Sequence, residues 1–285
     1  MITVDEERMK LMKLKIEILD QNKNIKIGKN DYDESFCEMI AEGNEHVHLA
    51  TQDLALTAGD MIRITVEKSN SFFVVKLDET LDSTLIYLKG TVWCYRIPLL
   101  TGNDLANSDL SFKGKAHYLS VRVAKDYEIQ QYKNVAFNPH DQKEESGAYP
   151  HAFANVETRD NSTFFAKNAI NGIYANLSHG SYPYQSWGIN QQSDAELTID
   201  FGRKVKIDGV GLVLRADFPH DSYWEEVTLK FSDGSSEILK TIKTSTIQEF
   251  KFKSRFVDRV TLTNLKKADD ESPFPALTEF EVYGH

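Results

Sequence analysis

Ala195-Glu-Leu-Thr-Ile-Asp-Phe-Gly202 is the stretch from which the fold is read. Leu197, Ile199 and Phe201 alternate with Thr198 and Asp200, so one side is apolar and the other polar. Successive side chains of an extended chain point to opposite faces, and this alternation therefore describes a half-buried strand. The same pattern returns downstream at Val227, Leu229 and Phe231, at Phe250 and Phe252, at Val260 and Leu262, and at Phe280 and Val282. Upstream it runs through Leu14, Ile16 and Ile18, through Ile62, Ile64 and Val66, and through Phe73, Val75 and Leu77. Leu85–Leu88, Val92–Ile97 and the series Leu119, Val121, Val123 complete it. Gly, Asn and Asp separate these runs, and no amphipathic helix of a dozen residues stands out, although residues 33–41 read as helix or strand. The expectation is an all-β chain built as two β-sandwich domains.

A length of 285 residues suggests about two domains, and 41% hydrophobic residues can fill their cores. Residues 133–150 lack periodicity and are rich in turn formers. The expected division is an N-terminal sandwich over 1–130, of unassigned role, and a second domain over 131–285. A net charge of −10, with no long basic tract, argues against nucleic acid or an anionic membrane as partner. Cys37 and Cys94 read as free thiols, which suits a reducing compartment. The acidic start Met1-Ile-Thr-Val-Asp-Glu-Glu-Arg8 has no apolar signal core. A cytoplasmic location is expected, or an extracellular one if a leader was removed. No stretch approaches the roughly 18 apolar residues of a spanning helix.

The second domain resembles the discoidin, or coagulation-factor type C, family, which overlaps the galactose-binding-like carbohydrate-binding modules. Asn155-Val-Glu-Thr158 and Phe165-Ala-Lys-Asn-Ala-Ile-Asn-Gly172 are similar to the family's opening, with its alanine–aliphatic–aspartate–glycine turn. Trp187 stands where the family has a tryptophan, and Ala195–Gly202 followed by Val205–Leu214 is similar to a consecutive pair of its strands. Glu279-Phe-Glu-Val-Tyr-Gly284 is similar to its terminal strand. The likeness covers roughly residues 135–285; the first domain resembles no family we can name. It implies a jelly-roll-like sandwich of antiparallel sheets, ligand loops at one end, and in many members a structural calcium. The acidic turn residue is Asn171 here, which weakens a calcium site, while Glu279 keeps the family's acidic position. Asn171 and Glu279 are the expected metal positions, with Asn171-Gly172 as a plain turn the rival reading.

Two loops carry the side chains suited to a sugar. Aromatic faces cover the C–H side of a pyranose, and planar or charged groups make paired hydrogen bonds to its hydroxyls. Arg215-Ala-Asp-Phe-Pro-His-Asp-Ser-Tyr-Trp224 and Ser178-His-Gly-Ser-Tyr-Pro-Tyr-Gln-Ser-Trp187 supply both kinds. The expected carbohydrate contacts are His179, Tyr182, Tyr184, Arg215, His220, Asp221, Tyr223 and Trp224. The rival reading makes the rings plugs of the sandwich end and Arg215 a structural ion pair with Asp217, Asp221 or Glu225. Trp187 reads as core. Ala268-Asp-Asp-Glu-Ser-Pro-Phe-Pro275 is a third loop that could close the rim.

Chemistry finds little support. Glycoside hydrolysis needs two carboxylates at fixed separation, and nothing singles out a pair among Asp217, Asp221, Glu225 and Glu226. No zinc spacing, nucleophile elbow or phosphate loop is present. The expected function is non-catalytic carbohydrate binding, with two sites in a homo-oligomer raising avidity. An enzyme acting on oligo- or polysaccharide and a protein–protein scaffold are the alternatives.

Overall fold

The structure, a computed structural model, describes residues 11–98, 105–218 and 220–285. The N-terminal octet on which the signal-peptide reading rests lies outside them, as does Pro219 of the Arg215–Trp224 loop. Among the described residues no helix is long and apolar enough to cross a membrane. The chain is all-β, as the alternation predicts.

The first half forms two main antiparallel sheets and a two-stranded one that pairs Ile27–Gly28 with Cys37–Glu38. One runs in the order Ile40–Asn44, Lys13–Leu19, Met61–Val66, Val92–Arg96. The other runs Ala148–Tyr149, Thr84–Leu88, Ser71–Lys76, His117–Val123, His46–Thr51. In His46–Thr51 the buried positions are Val47, Leu49 and Thr51, strictly alternating with exposed ones. These inward faces, with Ile16, Ile64, Phe73, Val75, Trp93 and Leu119, make one hydrophobic core. The ambiguous segment 33–41 is extended, with strands at Cys37–Glu38 and from Ile40. Ala148, from beyond the expected division, is buried in this core, so the second sheet draws its edge strand from there.

The second half forms an eight-stranded antiparallel sheet with its own core. Two long strands, Leu197–Leu214 and Gln248–Lys267, dominate it. The first pairs with His151–Ala154 through residues 197–200 and with Ala276–Gly284 through residues 207–214. Register shifts between Asp200 and Val205, and between Ile207 and Gly209, separate those stretches. A bulge adds a residue and bends a strand, and here it lets one strand serve two parts of the sandwich. Trp187 and Trp224 meet inside the core with ring centroids 6.2 Å apart. Burial of two indoles is among the larger single contributions to such a core, about 3–5 kcal/mol per ring lost on truncation to Ala.

Candidate functional site

At one end of the second sandwich, three loops surround a pocket of about 240 Å³. The strand Leu197–Leu214 delivers Arg215 at its exit, where the Arg215 N–H donates to the Ala276 carbonyl at 3.0 Å. The guanidinium is buried, and its Nε lies 2.6 Å from Asp217 Oδ1, also buried. Its Nη2 donates to the Phe274 carbonyl at 2.5 Å and more weakly to that of His220 at 3.5 Å. Arg215 therefore ties the loop carrying His220 to the loop carrying Phe274. Its Nη1 has no hydrogen-bond partner among the described residues. Burial pushes the guanidinium's pKa down, and the Asp217 charge opposes that shift.

Asp217 also receives a hydrogen bond from His179 Nδ1. An ionised carboxylate only accepts, so the imidazole carries its proton on Nδ1 and leaves Nε2 available. Roughly two-fifths of the His179 side chain is exposed. His220, itself exposed, stands edge-on to it with centroids 5.6 Å apart. Phe274 is 47% exposed and lines the same pocket. Opposite it, Asn190 and Gln191 both adopt left-handed backbone (φ 49° and 59°), which turns the chain after Trp187 along the pocket wall. One carboxylate, set behind the rim, aligns an imidazole and a guanidinium toward a half-apolar hollow. Such a set can donate to and accept from neighbouring hydroxyls while a ring covers an apolar face.

The structure thus brings together three of the eight expected contacts, His179, Arg215 and His220. The other five lie outside this pocket. Trp224 is 1% exposed and packs on Trp187, so it is core. Tyr223 is half-buried against the same core. Asp221 pairs with Lys243 at 3.1 Å and does not line the pocket. Tyr182 and Tyr184 are exposed, but neither lines it; Tyr182 faces a different hollow and its N–H donates to the Leu105 carbonyl. Gln185, in the same loop, is 1% exposed. Sequence reasoning missed Arg159, Asn190 and Gln191; Phe274 lay within the expected third loop.

Of the expected metal positions, Glu279 is fully buried and its carboxylate meets the Gly172 N–H at 3.1 and 3.2 Å. No basic side chain pairs with it among the described residues. Burial holds its pKa well above the carboxylate range, the Gly172 N–H lowers it, and Glu281 raises it further. A buried carboxylate without a counter-charge is costly, and a hard cation removes that cost. Gly172 sits at φ 80° with the Phe137 ring 2.5 Å from where a Cβ would be, so the turn admits glycine alone. Asn171 turns its own Oδ1 to the Ile173 N–H at 2.9 Å, which makes it a turn-forming residue first. Elsewhere, ligand atoms of Asp78, Glu79 and His117 lie within 4.8 Å of one another. Asp78 there already accepts from Thr80 and Phe112, and His117 Nε2 pairs with the Leu54 carbonyl.

Comparison with protein-family models and with curated proteins found no match. Among solved structures, the chain is similar to chitosan-binding module 1 of a chitosanase/glucanase from Paenibacillus sp. IK-5, at 19% identity and a TM-score of 0.35, over 53% of this chain and 99% of that one. It is similar to the family 32 carbohydrate-binding module of NanJ from C. perfringens, solved with galactose, at 15% identity and 0.36, over 46% and 91%. It is also similar to a Streptococcus pneumoniae fucose-binding module, at 12% identity and 0.39, over 54% and 98%.

Proposed function

We propose that this chain is a non-catalytic carbohydrate-binding protein whose second sandwich holds a sugar in the pocket of His179, Arg215, His220 and Phe274. The observation that carries this reading is the chain Arg215–Asp217–His179, in which a buried carboxylate fixes both partners. Groups locked before the ligand arrives lose little entropy on binding. Among the described residues no carboxylate lines the pocket, and Asp217 is occupied by Arg215 and His179. That supports binding over glycoside hydrolysis, which needs an acid and a second carboxylate on either side of the bond. Phe274 supplies the apolar face, and Nη1 of Arg215 with Nε2 of His179 supplies the paired polar contacts. A shallow pocket of this size gives modest affinity for one sugar unit.

Glycan-array screening followed by calorimetry tests the reading. Binding of a mono- or oligosaccharide that is lost in His179→Ala and in Phe274→Ala, with melting temperature kept, supports it. Full binding in both variants, or no glycan bound by the wild type, sinks it. Calcium is part of the same proposal: the Glu279 carboxylate, with carbonyl oxygens of the adjacent turn, would hold the ion and fasten the terminal strand to the Asn171-Gly172 turn.

A further inference from the structure

A second hollow lies where the first sandwich meets the second. Phe72 and Tyr87 come from the first; Phe201 and Arg203 follow one another on the strand Leu197–Leu214; Lys133 starts the short strand Lys133–Asn134. Its volume is about 160 Å³, the scale of a cavity that admits a six-membered ring, since about 150 Å³ accommodates benzene.

The charge of this hollow is unusual for the protein that contains it. The chain as a whole carries −10, yet among the described residues no Asp or Glu lines the hollow while Lys133 and Arg203 both do. Neither cation has an ion-pair partner among the described residues. Arg203 lies with its Cζ 4.7 Å from the centroid of the Phe72 ring, and its Nη1 donates to the neighbouring Lys204 carbonyl at 3.1 Å. Lys133 Nζ donates to the main-chain carbonyl of Glu128, not to its carboxylate. That carboxylate is taken by Arg122 through two hydrogen bonds of 2.7 and 2.5 Å. Burial pushes both cations down in pKa; Arg203 lowers Lys133 further, and the Glu128 charge opposes that shift. Two half-buried like charges with no ion-pair partner among the described residues are an unfavourable arrangement that an anionic ligand relieves.

The wall opposite is fixed by backbone. Gly202 has φ +67°, and a Cβ there would sit 2.5 Å from the Tyr149 ring. Any side chain at 202 would expel that ring, so glycine is what lets Tyr149 close the hollow. Lys89 rests 4.8 Å from the centroid of the same ring, whose hydroxyl donates to the Glu145 carboxylate, and neither Lys89 nor Glu145 is in the lining of the hollow. Rings for a flat body and a guanidinium for a forked oxyanion therefore meet in one place.

We propose that this hollow between the sandwiches, held by Lys133 and Arg203 against Phe72 and Tyr149, binds an oxyanion carried on a six-membered ring, as in an acidic or phosphorylated sugar. The site is separate from the His179 pocket and draws the N-terminal sandwich into ligand recognition. A guanidinium takes carboxylate or phosphate in the same forked manner, so the test separates the two sources.

The full chain is titrated calorimetrically with glucose, glucuronate, glucose 6-phosphate and inorganic phosphate. At least tenfold tighter binding of glucuronate or glucose 6-phosphate than of glucose supports the site, and the tighter of the two identifies the oxyanion. Arg203→Gln and Lys133→Gln should each reduce that increment at least tenfold. If Arg203→Gln unfolds because the contact with Phe72 is lost, Lys133→Gln alone decides. Equal affinity for glucose and its acidic forms overturns the proposal, as does an increment that survives both substitutions. Inorganic phosphate bound as tightly as glucose 6-phosphate overturns the ring-borne ligand. Neutral-sugar binding reports the His179 pocket and the oxyanion increment reports this one, so either can fail alone.

Discussion

The imidazole of His179 stands perpendicular to that of His220, their planes at 87° and their centroids 5.6 Å apart. The two rings come from loops 41 residues apart in sequence, and among the described residues only His179 has a side-chain anchor, Asp217. The pair therefore combines one fixed ring with one free to adjust to a ligand. His179→Ala should weaken sugar binding about tenfold or more, the scale of one or two hydrogen bonds. His220→Ala should weaken it less. Calorimetry on both variants checks the order, and a larger loss at His220 would contradict it.

Asp217→Asn should damage stability as well as binding. Arg215 and Asp217 are both buried, with 6% and 4% of their side chains exposed. Removing one charge of such a pair leaves the other uncompensated and costs about 3–5 kcal/mol. Chemical denaturation measures this directly. A loss below about 1 kcal/mol would show that water reaches the guanidinium.

Trp224 separates packing from contact. Trp224→Phe should leave sugar affinity within about twofold while lowering the denaturation midpoint, because the indole fills core beside Trp187. Affinity that collapses while stability holds would return Trp224 to the binding surface.

His140 sets an acid limit on the fold. It is fully buried beside Tyr95, its Nε2 accepts the Leu77 N–H, and burial pushes its pKa down to about 3. A histidine in the unfolded chain takes up its proton near pH 6.5, so below that pH the unfolded state binds the extra proton. Stability is retained above pH 6.5 and declines as pH falls toward 3, by at most about 1.4 kcal/mol per pH unit from this residue. His140→Gln should flatten the fall in stability between pH 6 and 4. An unchanged slope would mean that other groups govern acid unfolding.

Calcium should act through Glu279. If the ion occupies the turn, adding it to chelator-treated protein raises the melting temperature, and Glu279→Gln removes that response. Burial already favours the neutral acid at position 279, so the isosteric Glu279→Gln without calcium should be about as stable as the wild type without calcium. A wild type indifferent to calcium would discard the metal.

The strands were legible because alternation is a local signal: Leu197, Ile199 and Phe201 each show their side to the core whatever the rest of the chain does. Trp224 was misjudged for a specific reason. Val227, Leu229 and Phe231 are buried, so strict alternation places Glu225 inward and Trp224 outward. Register shifts between Trp224 and Glu226, and between Glu226 and Thr228, reverse that parity. A bulge leaves no mark in the hydrophobic pattern. Asp221 was equally ambiguous, since its partner Lys243 lies 22 residues on and only folding brings them together.

The order of apolar and polar residues alone determined that this protein is made of antiparallel strands, and it marked the loops richest in sugar-suited side chains. Which of those side chains share a pocket was decided by tertiary structure, because His179, Arg215 and Phe274 sit on loops whose distance depends on how bulged strands bend. The Arg215–Asp217 pair is local and is among the readings the sequence offers, but the hydrogen bond from His179 to Asp217 spans 38 residues and only folding makes it.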